Sequence, residues 1–259
     1  MKFAYDEKKG GIMCIVALAW QLSDRVPLVL LSNRDEFFHR DSLPAHLWDE
    51  GIFAGKDLEK GGTWLGIHPK THKWAVILNY RDLSQKQQAF STSRGQIVRE
   101  YLAGELSPLA FARGLALRDY EGFNLIIGDE KTALLLNNQG HPITPLAHGL
   151  HILSNGQPDT PWHKCERLRQ RVTQEVLPLI ATNQNWHDAA FDILKDPRQS
   201  PTNQLPHTGL SAQAELALSS IFIPKTHTEG IFSYPYGTQV SSIVSFDGAL
   251  HLTERWHER

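Results

Sequence analysis

The chain has 259 residues, 41% of them hydrophobic and 21% charged, enough apolar content to bury the core of one large domain or two small ones. Its formal net charge of −2 leaves no electrostatic footprint for nucleic acid or for an anionic membrane surface. Two cysteines in a chain this long do not make a disulfide framework, and the longest apolar runs, such as residues 26–31, fall well short of the roughly 20 residues a membrane span needs. The expectation is a folded cytoplasmic protein with a small-molecule partner, without nucleic-acid binding or membrane insertion.

Residues 1–12 are rich in Lys, Asp, Glu and Gly and lack the hydrophobic core of a secretion signal. They read as a flexible extension ahead of a single domain over 13–259. Met13-Cys14-Ile15-Val16 then opens an apolar run that continues to Trp20. If Cys14 becomes the first residue, a thiol and a free α-amine share one residue. The amine, with a pKa of about 7.7–8.0, can take the thiol proton without a histidine. With the extension attached, that amine is locked in a peptide bond. The plainer alternative is a small buried cysteine in a strand.

From Met13 the pattern is rich in strands. Residues 14–20 and 27–31 form two, joined by the polar turn 23–25. The second runs into Ser32-Asn33-Arg34-Asp35-Glu36, where period-two alternation puts Asn33 and Asp35 on one face and Arg34 and Glu36 on the other. Residues 51–55 and 61–67 follow, the paired Gly61-Gly62 predicting a turn with positive φ before a short strand carrying Trp64. Residues 74–78 make a buried strand that ends in Asn79-Tyr80-Arg81-Asp82.

Ser93 is placed to cap a helix over 95–103, with a second helix over 108–117. Residues 123–128 and 133–136 predict a hairpin. Short strands at 143–145 and 149–153 come next, the latter ending in Ser154-Asn155-Gly156. Leu168, Val172, Val176 and Leu179 recur at helical spacing and predict a helix over 164–180. Further helices are expected over 186–194 and 212–219, and a closing hairpin over 236–244 and 249–253 turns at Asp247-Gly248. The sum is an α+β domain of antiparallel sheets covered by helices.

Cys14 at a strand start, with Asn79 and Asn155 each directly after an apolar strand, suits acyl transfer. That chemistry needs a nucleophile, a base, and donors where charge develops on the carbonyl oxygen. Taken singly, an asparagine after a strand is more often a turn residue.

Residues 32–36 (Ser-Asn-Arg-Asp-Glu), 61–66 (Gly-Gly-Thr-Trp-Leu-Gly), 78–82 (Leu-Asn-Tyr-Arg-Asp), 153–156 (Leu-Ser-Asn-Gly), Leu205-Pro206 with Thr208-Gly209, and 236–238 (Tyr-Gly-Thr) together resemble the NRDE family, also called the transport and Golgi organization family. The resemblance runs from Met13 nearly to the C-terminus. Family members typically begin Met-Cys. The family in turn resembles the N-terminal-nucleophile hydrolases of the choloylglycine and penicillin V acylase group, which implies an αββα four-layer sandwich and cleavage of amide bonds other than peptide bonds. On this resemblance Cys14 is nucleophile and base, Asp35 orients its amine, and Asn79 and Asn155 serve the oxyanion. Asn33, Arg34, Trp64 and Arg81 are the candidate substrate-binding residues. No cofactor or metal ligand set is implied.

There are departures. The acylases carry an arginine where this chain has Ser32, and NRDE relatives usually have arginine where it has Gln239. The rival reading, from the same family resemblance, is a non-catalytic carrier of haem or a protein of lipid homeostasis. The 13 histidines, with His39, His68 and His72 near the proposed site loops, offer iron ligands for it. A trafficking adaptor is a third reading.

Overall fold

The computed structural model describes residues 14–81, 92–158, 160–226 and 234–257. Asp82 and the extension ahead of Cys14 lie outside the described residues. Among the described residues, twelve strands form two antiparallel sheets. The first, in the order β10-β1-β2-β11-β12, joins β1 (Cys14–Trp20), β2 (Leu28–Phe37), β10 (Gly149–Leu153), β11 (Tyr236–Phe246) and β12 (Leu250–Trp256). The second follows chain order: β3 (Ser42–Leu47), β4 (Phe53–Asp57), β5 (Leu65–His68), β6 (Lys73–Asn79), β7 (Phe123–Gly128), β8 (Ala133–Asn137) and β9 (Thr144–Pro145).

Alternation along β1 and β2 builds two hydrophobic layers at once. Val16, Leu18, Trp20, Leu28 and Leu30 pack against Leu65, Ile67 and Trp74 of the second sheet. Ile15, Ala17, Ala19, Val29 and Leu31 point the other way, into a layer with Leu168, Val172, Phe191 and Leu194. Those residues belong to α3 (His163–Arg171), a π-helical segment (Val172–Val176) and α5 (His187–Leu194). On the outer face of the second sheet lie α1 (Arg94–Ala103) and α2 (Pro108–Gly114). The architecture is the αββα sandwich that the resemblance implies.

Most elements fall where the sequence predicts them, with three differences. The helix over 164–180 is interrupted, because Pro178 lacks an N–H and its ring would strike the Gln174 carbonyl. The Leu177 N–H reaches back to Val172 instead, making the π-turn before α4 (Leu177–Ala181). The second predicted helix ends at Gly114, and Leu117–Asp119 is a separate 3₁₀ turn. β3 has no counterpart in the sequence reading; it is an edge strand with Pro44 inside it and a register shift between Leu43 and His46. The short helix α6 (Ala212–Ala217) and the closing hairpin form as expected.

Gly61 has the predicted positive φ, +72°. Gly62 meets a different demand: a Cβ there would sit 2.5 Å from the Gly95 carbonyl carbon. That close approach seats the start of α1, where Ser93 Oγ accepts from the Gly95 N–H, against the turn before Trp64.

Candidate functional site

One end of the sandwich gathers the residues singled out by sequence. In β1, Cys14 pairs with Arg34 of β2, while the β10 ladder stops at Leu153 opposite Val16. The next two residues of that chain therefore fall beside the start of β1. The Cys14 N–H donates to Asn155 Oδ1 at 3.0 Å, and Ser154 Oγ donates to the Cys14 carbonyl at 2.8 Å. Asn155 Nδ2 donates to the Asn79 carbonyl at 2.8 Å, and the Arg81 N–H donates to the Asn155 carbonyl at 2.7 Å. The ends of β6 and β10, from different sheets, are thus stitched together over Cys14.

A second set of asparagines holds that stitch. Asn124 Nδ2 donates to the carbonyls of Ser154 and Gly156, and its own Oδ1 accepts from Asn137 Nδ2. Both are fully buried in strands. The sequence reading missed them, although an asparagine inside an otherwise apolar strand is a signal, since a buried amide must find partners.

The faces of residues 32–36 alternate as predicted, and this divides their tasks. Asn33 is buried on the helix side, its amide donating to the carbonyls of Leu194 and Ile221 while its oxygen accepts from Ser241 Oγ. It does not line the cleft. Arg34 and Glu36 point to the other side and line a small cleft of about 80 Å³ with Cys14, Asp35, Arg40, Asp57, Trp64, Asn79 and Arg94. The Arg34 guanidinium lies 4.7 Å over the Trp64 ring, donates to Gln239 Oε1 at 2.7 Å and sits 3.7 Å from Glu36. Gln239 therefore braces Arg34 in this chain. Arg94, which the sequence reading did not single out, lines the cleft from the first turn of α1, its guanidinium donating to the Gly122 carbonyl at 2.9 Å and ion-paired with Glu121 at 3.2 Å.

Asp35 Oδ1 accepts from Thr238 Oγ1 at 2.5 Å, and its Oδ2 is buried without a hydrogen-bond partner. Burial pushes its pKa up to about 7, against the Thr238 hydrogen bond first and then the charges of Lys164 and Arg34, which favour the carboxylate. Burial, with the Asp35 charge as the next cause, pushes the Cys14 thiol up to about 12. In the described chain the thiol is therefore protonated and inert. Arg81 is not among the cleft residues; its guanidinium is ion-paired at 2.8 Å with Glu215 of α6 and lies 5.5 Å from the Trp162 ring centroid.

The three histidines expected near the site loops stand elsewhere. His72 lies beside Glu130 and Phe246, in a pocket bordered by Trp20 at the far end of β1. His68 lies under Gly51, and His39 packs between Phe37 and Tyr234. None lines the cleft. Among the described residues no group of three or more His, Cys, Asp or Glu side chains is arranged to hold a metal ion. No described helix is long and apolar enough to cross a membrane.

Fold and site together define an α+β protein of two stacked antiparallel sheets, with a buried cysteine and two strand-end asparagines meeting at one end. Residues 13–258 match the family model described as Transport and Golgi organisation 2, and the chain belongs to that family. It is 30% identical over 247 residues to the Transport and Golgi organization 2 homolog of Mus musculus, covering 87% of this chain and 84% of that protein. The Homo sapiens homolog is 30% identical over 242 residues, with the same coverage of both chains. The Transport and Golgi organization protein 2 of Drosophila melanogaster is 31% identical over 162 residues, 55% of this chain and 56% of that one.

Proposed function

We propose that this protein is a cysteine amidohydrolase that acts on a small acylated amide once Cys14 is its first residue. The observation that carries the reading is the grip on the Cys14 nitrogen. Asn155 Oδ1 already accepts from it at 3.0 Å, at the edge of a cleft that the Cys14 side chain lines. A free α-amine in that place keeps this hydrogen bond and stands one residue's length from the thiol whose proton it takes.

The thiol then attacks the amide carbonyl, forming a C–S bond, and the proton held by the amine passes to the leaving nitrogen as the C–N bond breaks. Water hydrolyses the thioester and returns the site to its starting state. Asn79 lines the cleft and supplies the oxyanion donor, while Asn155, engaged with Cys14 N and Asn79 O, positions the nucleophile. Arg34, held over Trp64, offers a guanidinium to a substrate carboxylate or carbonyl. Asp35, with one oxygen fixed by Thr238, stabilises the ammonium formed when the amine takes the proton.

The test compares two chains, one beginning at Cys14 and one carrying residues 1–13, on a panel of N-acyl amino acids and acyl anilides. Turnover is expected from the first and none from the second, and Cys14→Ser in the short chain should lose most of it, because the amine is kept but a hydroxyl is a far weaker nucleophile than a thiol. Equal turnover from both chains would remove the free amine from the mechanism. No turnover from a short chain whose mass and fold are verified would end the hydrolase reading.

A further inference from the structure

Two ionisable side chains, one at the cleft wall and one beyond it, are buried with atoms that no hydrogen bond satisfies. One is Asp35, 3% exposed, with Oδ2 unpartnered; the other is Lys164, 2% exposed, with Nζ unpartnered. A buried charge without partners costs several kcal/mol, so two of opposite sign on neighbouring elements call for an explanation. Their placement gives one. Asp35 shares with Asn33 the helix-facing side of β2, and α3, which carries Lys164, packs on β1 and β10 beside it. Lys164 Nζ lies 5.8 Å from the centroid of Trp162, the ring over which Arg81 also sits.

We propose that Lys164 is a positioning residue of the Cys14 site, its ammonium entering from α3 to keep the Asp35 carboxylate ionised. This role rests on Asp35 serving the Cys14 amine, as proposed above; the charge pairing itself does not. The groups that face this pair are Cys14 on β1, Arg34 and Glu36 on β2, Cys165 on α3, and Arg81 at the end of β6. Arg81 is engaged by Glu215, so Lys164 is the cation left to Asp35 from the helix side. Burial raises the Asp35 pKa and lowers that of Lys164, and each charge offsets the shift of the other. Without the ammonium, Asp35 takes up a proton and no longer stabilises the ammonium on Cys14.

The experiment is a carboxyl ¹³C NMR titration of Asp35 in the full chain and in Lys164→Met. Loss of the cation should move the Asp35 midpoint upward by more than one pH unit. An unmoved midpoint would overturn the proposal. If Lys164→Met folds at neutral pH but is too unstable to titrate over the full range, its urea midpoint at neutral pH is compared with that of Asp35→Asn/Lys164→Met. The double variant should recover most of the loss, because it strands no lone charge. A double variant no more stable than the single one would overturn the pairing. No amide substrate enters either measurement, so failure here and failure of the hydrolase reading are told apart.

Discussion

Arg81→Met should lower the stability of the folded chain by about 3–5 kcal/mol, the range for breaking one side of a buried ion pair. Both partners are nearly solvent-free, the Arg81 side chain 2% exposed and that of Glu215 3%. Glu215 also accepts from the Thr208 N–H and Oγ1, so the pair fastens α6 and the loop before it to the end of β6. Removing the guanidinium leaves a buried carboxylate facing an apolar side chain. The loss is read from the urea midpoint at constant slope. Arg81→Met/Glu215→Leu, which strands no charge, should regain most of it. A single variant within about 1 kcal/mol of the parent would mean that the pair is solvated and structurally minor.

The second large effect concerns the thiol. Cys14 is raised from an ordinary value of 9.0 to about 12, which cuts its thiolate fraction near neutral pH about a thousandfold. The cause is burial first and the Asp35 charge second. Iodoacetamide at pH 7.5 should therefore label Cys14 in the native full chain at least about a thousandfold more slowly than in the urea-unfolded chain. The rate should keep climbing with pH well past the range in which an exposed cysteine levels off. Peptide mapping separates this thiol from Cys165, itself buried and raised to about 11. Labelling of native Cys14 as fast as in urea would contradict the buried placement.

Much of this was legible in the sequence, and the misses share a cause. Alternation is a local property, so the opposite faces of Asn33 and Arg34 could be read from residues 32–36 alone. What each face meets depends on partners far along the chain. Asn33 spends its amide on α5 and the loop before β11, away from the cleft that its neighbour Arg34 lines. Arg81 sits in a run beside a candidate asparagine and reads as a substrate ligand; only α6, more than a hundred residues later, supplies the carboxylate that engages it. Lys164 escaped notice because His163-Lys164-Cys165-Glu166-Arg167 reads as a solvated helix start, whereas Glu166 faces outward and Lys164 faces in. β3 escaped because its Pro44 argues against a strand, and an edge position with a register shift tolerates it.

On the proposed mechanism Cys14 carries the acyl group on its thiol, with its own amine as the base. The most direct test mixes the chain beginning at Cys14 with an excess of an activated acyl anilide, quenches in acid within seconds and measures the intact mass. The expected result is a mass gain of one acyl group, mapped to the peptide of Cys14, labile to hydroxylamine and missing when residues 1–13 are attached. A short chain that releases aniline with no acyl group on Cys14, or that never acquires one, would contradict it.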